Sequence, residues 1–343
     1  MKYLITGGAG FIGSNLARQL LKNDNKVTIF DNLSRKGTEL NIKNLLKDHK
    51  KNISFVKADI RNKSELEKNV VKNDIVFHLA GHVSITGSVK NSVEDFEVNA
   101  LGSLNLLEVA RKMKKPPLLI YSSTNKVYGH LTGIEMKETK TRYVFAKQEN
   151  KRGVKENNLL DFYTPYGCSK GSADQYFIDY NRIFGIPTIV FRQSCIYGPQ
   201  QFGVEDQGWV AWFLIACELH KSINIYGDGK QVRDILHVND LISAYMLAID
   251  KYTNKDEVYN IGGGLDFTYS IWQEFKELAR KFTKYIPDAS YSEWRPGDQK
   301  IYYSDNTKLL KRLGWKPKIS PEDGVGDLYN WIIKNKDFLA TIF

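Results

Sequence analysis

Cysteine is scarce in this chain, and long apolar runs, repeats and low-complexity stretches are missing altogether. Three cysteines in 343 residues, Cys168, Cys195 and Cys217, are odd in number and have neither paired nor metal-ligand spacing. Reduced thiols are therefore expected, with no disulfide and no metal. The longest apolar runs are strand-length, such as Leu118 to Tyr121, which excludes a membrane-spanning helix. The chain enters a strand at Lys2 to Thr6 with a glycine loop directly behind it, which leaves no charged leader and cleavage site. A cytoplasmic protein is expected. The formal charge of +10 raises nucleic acid as a partner. The lysines are scattered, however, and no basic patch interleaved with aromatics accompanies them. A solvated, lysine-rich surface that attracts diphosphates is the better reading, with neither nucleic acid nor membrane as partner.

What remains has the composition of a globular protein, 42% hydrophobic and 26% charged, and is long enough for a sizeable core. Strand-like segments recur at Lys2 to Thr6, Lys26 to Asp31, Ile53 to Lys57, Asp74 to Leu79, Leu118 to Ser122, Pro187 to Arg192 and Val258 to Ile261. Helical patterns lie between them. In Gly13 to Asn23 the apolar Ile12, Leu16, Leu20 and Leu21 share one face, and a second pattern runs from Phe96 to Lys112. This alternation predicts an α/β fold with a doubly wound parallel sheet of Rossmann type. From about Gly198, Trp- and Gly-containing loops break the rhythm. The expected division is a nucleotide-binding domain over 1–197, to which 234–262 return, and a smaller C-terminal lobe made of 198–233 and 263–343.

Behind the first strand stands Thr6-Gly7-Gly8-Ala9-Gly10-Phe11-Ile12-Gly13, opening directly into a helix. Glycines at 7, 10 and 13 let the backbone turn tightly, approach a pyrophosphate, and aim the helix N-terminus at its charge. Asp31 and Asn32 answer them at the end of the second strand, in the context that gives the motif its meaning. Asp31 would accept from ribose hydroxyls and repel a 2′-phosphate, which selects NAD over NADP; nearby Arg35 reads most simply as a solvated loop residue. Asp59 and Ile60 follow the third strand, where the adenine edge would lie. The fourth ends in His78-Leu79-Ala80-Gly81, with Leu79 and Ala80 beneath the dinucleotide and His78 a packed strand residue.

The fifth strand ends in Tyr121-Ser122-Ser123-Thr124. Further on, Tyr166 and Lys170 stand four apart and share a face if Ser169 to Tyr180 is helical. A lysine ammonium beside a phenol, with the positive nicotinamide of NAD nearby, favours phenolate, so the Tyr166 pKa is expected to fall from its reference near 10. Tyr166 could then take a proton from a sugar hydroxyl while hydride leaves the same carbon for NAD, with Thr124 hydrogen-bonded to that oxygen. A Tyr and a Lys at this spacing also occur on any amphipathic helix. The glycine loop and the hydroxyl cluster together favour chemistry.

These residues resemble the extended short-chain dehydrogenase/reductase family over essentially the whole chain: Thr6 to Gly13, Asp31, Asp59, His78 to Ala80, Asn99, Thr124, Tyr166 and Lys170. The resemblance implies that Ser122, Tyr166 and Lys170 also border the cofactor, with Lys170 on the nicotinamide ribose, and that Asn99 supports the active-site helix. It makes Ile225 to Asp240 the segment that holds a nucleotide sugar. Arg233 would pair with the diphosphate through its planar fork, and Tyr226 would pack beside the base. In Arg295-Pro296-Gly297-Asp298 the resemblance gives a second phosphate arginine and an acid for the ribose; the alternative is a solvated surface turn. Asn125 and Cys195 complete the implied substrate residues. The smaller lobe would then be the nucleotide-sugar-binding one.

Dehydratases of the family typically follow the catalytic threonine with Asp-Glu, whereas this chain has Thr124-Asn125-Lys126, so elimination of water lacks its acid and base. Ser122 to Gly129, Pro165 to Gln175, Asp206 to Val210 and Gly229 to Asp234 resemble the branch that comprises CDP-paratose 2-epimerases. His82 and Cys195 depart from the branch pattern. Tyr166 lies 42 residues beyond Thr124, well above the roughly 25 that an ordinary connection gives in this family. The insertion carrying Lys137 to Tyr143 is either a specificity element over the sugar or a plain surface loop. The resemblance implies an NAD-dependent carbon-2 epimerase of a nucleotide-linked sugar, expected as a homo-oligomer. The alternatives are a carbon-4 epimerase of UDP-glucose type and an inactive NAD-sensing or nucleic-acid-binding relative.

Overall fold

The structure, a computed structural model, describes residues 1–255 and 257–343. Seven strands build its main sheet. They are β1 (Lys2–Thr6), β2 (Lys26–Asp31), β3 (Ile53–Lys57), β4 (Ile75–His78), β5 (Leu118–Thr124), β6 (Thr188–Gln193) and β7 (Val258–Ile261). Across the sheet their order is β7-β6-β5-β4-β1-β2-β3. The chain therefore starts in the middle, winds outward to β3, and returns to β4 to wind the other way. Strand β1 pairs in parallel with β2 (Thr6 opposite Phe30) and with β4 (Thr6 opposite His78), β2 likewise with β3, and β4 with β5. This is the doubly wound, Rossmann-type sheet that the alternation implies, with its switch point between β1 and β4. All of β4 is buried. Covered on both faces, it reads in sequence as the unbroken run Ile75-Val76-Phe77.

By their internal packing the residues form two units: 1–124, 164–192 and 252–258 in the first, and 125–163, 193–251 and 259–343 in the second. This division draws its lines elsewhere than the one expected from sequence, chiefly by giving 125–163 and 234–251 to the second unit. The reason is visible in the packing of the first of these segments. Val127, Tyr128, Tyr143 and Phe145 share a buried cluster with Val232, Ile301, Tyr302 and Tyr303.

In the first unit, helix α1 (Phe11–Leu21) buries Leu16, Ala17, Leu20 and Leu21. It begins before the predicted Gly13, and Ile12 in its first turn is only half-buried, outside the stripe. The long helix α2 (Thr164–Phe184) carries Ala173 and Phe177 into a core with Leu4, Val76, Leu106 and Leu119. The predicted helix Phe96 to Lys112 is broken differently. A short helix, Ser92–Phe96, runs into a π turn, Glu97–Leu101, before the regular helix Gly102–Arg111. Such widened turns gather at functional sites, and this one centres on Asn99.

In the second unit the strand Val232–His237 pairs in parallel with Cys195–Tyr197 and Ile301–Tyr302, and antiparallel with Thr268–Ser270. Helices Trp209–Glu218 and Pro321–Lys334 set Phe213, Leu214, Leu328 and Ile332 into one core with Phe275. The insertion forms an antiparallel hairpin of Met136–Glu138 and Tyr143–Phe145. Among the described residues, no helix is long and apolar enough to cross a membrane.

Candidate active site

The glycine loop closes over the strand ends of the first unit. A Cβ on Gly7, whose φ is +69°, would stand 2.7 Å from the Ala80 nitrogen, and one on Gly13 would stand 2.5 Å from the Gly7 carbonyl oxygen. Only glycine lets the loop ride on Leu79 and Ala80 and the helix close on the loop. Gly10 caps α1 without a side-chain acceptor, and a helix N-terminus of this kind suits an anion. Asp31 fixes the same loop. Its Oδ2 accepts from the Ala9 N–H at 3.0 Å and its Oδ1 from the Leu33 N–H at 2.8 Å. Burial raises its pKa against these bonds and the nearby Arg35. These residues fit a dinucleotide: a backbone cradle for pyrophosphate, and a carboxylate with lone pairs left for ribose hydroxyls.

Arg35 is an exposed loop residue, and partial desolvation of its guanidinium lowers its pKa against the charge of Asp31. Asn32 donates to Asp59 Oδ2 at 2.9 Å, tying the ends of β2 and β3. Hydrogen bonds from Arg61, aided by Asn32, hold the Asp59 pKa down at about 2. Ile60 is buried in the core against Gly102 rather than open at the strand ends. His78 is a packed strand residue. It contacts Thr6 Oγ1 through Nδ1 and Ser103 Oγ through Nε2, both at 2.8 Å. Burial, then the charge of Lys170, lowers its pKa to about 3.

At the end of β5, Thr124, Tyr166 and Lys170 come together in the first unit, exposed by only 7%, 7% and 6%. The Thr124 hydroxyl hydrogen-bonds the Tyr166 phenol. Lys170 Nζ donates to the Ser122 carbonyl at 2.6 Å and lies 4.4 Å from the centre of the Tyr121 ring. Burial lifts the Tyr166 pKa to about 12, reinforced by Asp95 and opposed by Thr124 and Arg35. Burial also lowers the Lys170 pKa to about 7. Desolvation is the largest cause of both shifts, so without a ligand the phenol is neutral.

Below this pair lies a network that sequence reasoning saw only through Asn99. Asn99 Nδ2 donates to Asp95 Oδ1 and to Ser169 Oγ, each at 3.1 Å, while its Oδ1 accepts from the His82 N–H at 2.8 Å. Ser169 in turn donates to the fully buried Asp95. Asn99 thus faces inward and ties the loop after β4 to α2. Its i, i+4 spacing from Asp95 was the one signal for the carboxylate. Deeper still, Asp174 takes a bond from Ser123 at 2.6 Å and pairs with Arg192 at 2.8 Å, both side chains being buried.

In the second unit the predicted substrate residues converge. Arg233 is buried, with Cys195, Asp298, Arg295 and Asp234 as its charged or titratable neighbours. Arg295 pairs with Asp298 at 3.2 Å and stacks 4.6 Å from the centre of the Tyr226 ring. Pro296 to Asp298 is therefore no free surface turn, and the guanidinium of Arg295 covers one face of Tyr226. The Tyr226 hydroxyl donates to Glu205 at 3.0 Å. Cys195 accepts from Trp209 Nε1 at 3.4 Å, and burial raises its pKa, so it stays a thiol. Asn125 Nδ2 donates to Gln299 at 3.0 Å. Lys126, read in sequence only as the absence of an acid, joins Arg233 and Arg295 here. The hairpin of the insertion is anchored rather than loose: Tyr143 donates to Asp228 at 2.6 Å, and Arg142 pairs with Glu274.

Comparison with known proteins follows the same lines. Residues 4–328 match the GDP-mannose 4,6 dehydratase family. A CDP-paratose 2-epimerase of Salmonella typhi is 44% identical over 96% of this chain and 99% of its own length. A putative UDP-glucose 4-epimerase of Methanocaldococcus jannaschii is 33% identical over 97% of this chain and 98% of its own. Among solved structures, the UDP-glucuronic acid 4-epimerase of Bacillus cereus, in complex with UDP-glucuronic acid and NAD, superposes with a TM-score of 0.83 at 28% identity, covering 97% of this chain and 99% of that one. With its glycine cradle, its Thr124, Tyr166 and Lys170 and this likeness along its whole length, the chain belongs to the GDP-mannose 4,6 dehydratase family of extended short-chain dehydrogenases/reductases.

Proposed function

We propose that the protein is an NAD-dependent epimerase that inverts carbon 2 of a CDP-linked sugar of paratose or tyvelose type, through a 2-keto sugar. The observation that carries this reading is the 44% identity to a CDP-paratose 2-epimerase along nearly the full length of both chains. The buried Thr124, Tyr166 and Lys170 support it from the chemical side and argue against an inactive sensor. A carbon-4 epimerase of UDP-glucose type fits less well, at 33% identity.

The loop from Gly7 to Gly13 would cradle the NAD pyrophosphate, Asp31 would take the adenosine ribose, and Lys170, fixed by the Ser122 carbonyl, would reach the other ribose. When bound, NAD supplies a hydride acceptor beside the sugar carbon and a positive nicotinamide that favours phenolate at Tyr166. Tyr166 takes the proton from the carbon-2 hydroxyl and later gives it back. Thr124 holds the same oxygen, and Asn99, Asp95 and Ser169 fix the helix that carries Tyr166. In the second unit, Arg233 and Arg295 would hold the diphosphate and Asp298 the nucleotide ribose. We also take the protein to be a cytoplasmic homo-oligomer. The exposed apolar Val93 and Phe96 and, on α2, Ile183 and Phe184 fit self-association, which light scattering on the purified protein checks.

The test is to supply CDP-paratose, CDP-glucose and UDP-glucose separately and to identify the product sugars by NMR. Inversion at carbon 2 of a CDP-sugar is expected. Inversion of UDP-glucose at carbon 4 alone would overturn the reading.

A further inference from the structure

The insertion between Thr124 and Tyr166 carries the hairpin of Met136–Glu138 and Tyr143–Phe145, and its bonds converge on one place. The Tyr143 hydroxyl donates to Asp228 Oδ2 at 2.6 Å, and the Tyr143 N–H donates to the Lys230 carbonyl at 3.2 Å. From the other strand, Glu138 Oε1 accepts from Lys230 Nζ at 2.6 Å. Both strands of the hairpin therefore hold the short stretch Gly227 to Lys230. That stretch joins the strand Ile223–Tyr226 to the strand Val232–His237, so Tyr226 stands immediately before it and Arg233 shortly after it.

By itself such a stretch would be pliable. Gly227 and Gly229 sit at φ +81° and +73°, a conformation that glycine adopts without strain but leaves as readily when nothing holds it. Asp228 links the stretch to the hairpin: its Oδ1 accepts from the Lys230 N–H at 2.9 Å, and its Oδ2 takes the Tyr143 phenol. A second support comes from residues 271–272, whose N–H groups donate to the Gln231 carbonyl at 2.8 Å and to the Gly229 carbonyl at 3.1 Å. The hairpin is itself fixed. Tyr143 and Phe145 are buried with Val232, Ile301, Tyr302 and Tyr303. Arg142 donates to Glu274 and, at 3.2 Å, to the carbonyl of Thr268, which pairs with Asp234. The hairpin and the strand that bears Arg233 thus belong to one packed body.

We propose that the hairpin braces the nucleotide end of the substrate site, with Tyr143 as the positioning residue that sets the Asp228 turn and, through it, Tyr226 and Arg233. The proposal rests on the nucleotide-sugar reading above and assigns the insertion to the nucleoside diphosphate rather than to the sugar. A turn that is set beforehand has less ordering to undergo on binding, so the hairpin contributes affinity through the loop it holds.

Titration calorimetry with CDP and with CDP-glucose tests this, and a Tyr166→Phe background keeps turnover out of the heat. Tyr143→Phe retains the buried ring and removes the hydroxyl. It should weaken both ligands by the same factor, about threefold to tenfold. Added to Asp228→Ala it should weaken them no further, because the two changes remove one bond. With Tyr166 restored, Tyr143→Phe should raise KM for the CDP-sugar and leave kcat little changed. Glu138→Ala cuts only the Lys230 tie, at a half-exposed side chain. It should weaken both ligands equally, by about twofold, and it decides the matter if a Tyr143 variant does not fold. Weaker binding of CDP-glucose with unchanged binding of CDP would put the hairpin over the sugar. Unchanged binding of both would make it a plain surface element. Either result would overturn the brace and leave the function standing, whereas a parent that binds neither CDP-glucose nor UDP-glucose would remove both.

Discussion

The first unit gathers its chemistry from short stretches at successive strand ends: Gly7 to Gly13 after β1, Asp31 at the end of β2, Ser122 to Thr124 in β5, and Tyr166 and Lys170 one turn apart on α2. The second gathers its cations from three separate places, Lys126, Arg233 and Arg295, brought together by strand pairing and by side-chain bonds to one turn. In the first case backbone geometry sets which residues are needed. A parallel sheet ends in a fixed row of positions, and a close approach demands glycine. In the second, only the tertiary fold brings the residues together, and almost any spacing in sequence would serve.

The largest effect that separates the units should come from the buried pair of Asp174 on α2 and Arg192 on β6. Asp174→Ala takes a buried carboxylate away from the Arg192 guanidinium, whose side chain is 4% exposed, which should cost about 3–5 kcal/mol of stability in urea unfolding. A loss below about 1 kcal/mol would mean that the pair is solvated in the working protein. Next comes Tyr166→Phe, which should lower turnover by at least about a hundredfold while the co-purified dinucleotide is retained. Near-normal turnover would take the base out of the first unit.

Asp31→Ala should weaken NAD binding by about tenfold and narrow its margin over NADP, measured by fluorescence titration, because ribose bonds and repulsion of a 2′-phosphate disappear together. Equal affinity of the unmutated protein for the two cofactors would contradict this. The smallest effect is a pH dependence. His78 is held near pKa 3 in the folded chain, from the usual 6.5, by burial and then by Lys170. Below pH 6.5 the unfolded chain binds a proton that the folded chain refuses. The stability contributed by neutral His78 is therefore complete above pH 6.5 and is lost as the pH falls toward 3. Urea midpoints at pH 7 and pH 4.5 should differ less in His78→Gln than in the unmutated protein.

How much was legible follows the same division. The doubly wound parallel sheet, the glycine cradle, Asp31 and the shared face of Tyr166 and Lys170 could be read because period and spacing determine them. The weight of burial on Tyr166 could not, since spacing reports which charges are near but not how much water has left. Asp95, Ser169 and the π turn around Asn99 were missed because a widened turn leaves no mark on apolar periodicity. Lys126 was read only as a missing acid, because its place depends on a bond to Gly297, far away in sequence.

The fate of the hydrogen on the inverted carbon tests the central claim most directly. Carbon 2 of a nucleotide sugar has no neighbouring carbonyl to stabilise a carbanion, so hydride transfer with Tyr166 as base is the route these residues support. With CDP-paratose deuterated at carbon 2, and separately at carbon 4, the account predicts that both labels survive epimerisation and that only the carbon-2 label slows the reaction. Solvent hydrogen at carbon 2 of the product would contradict the hydride mechanism, and an isotope effect confined to carbon 4 would contradict the position of the chemistry.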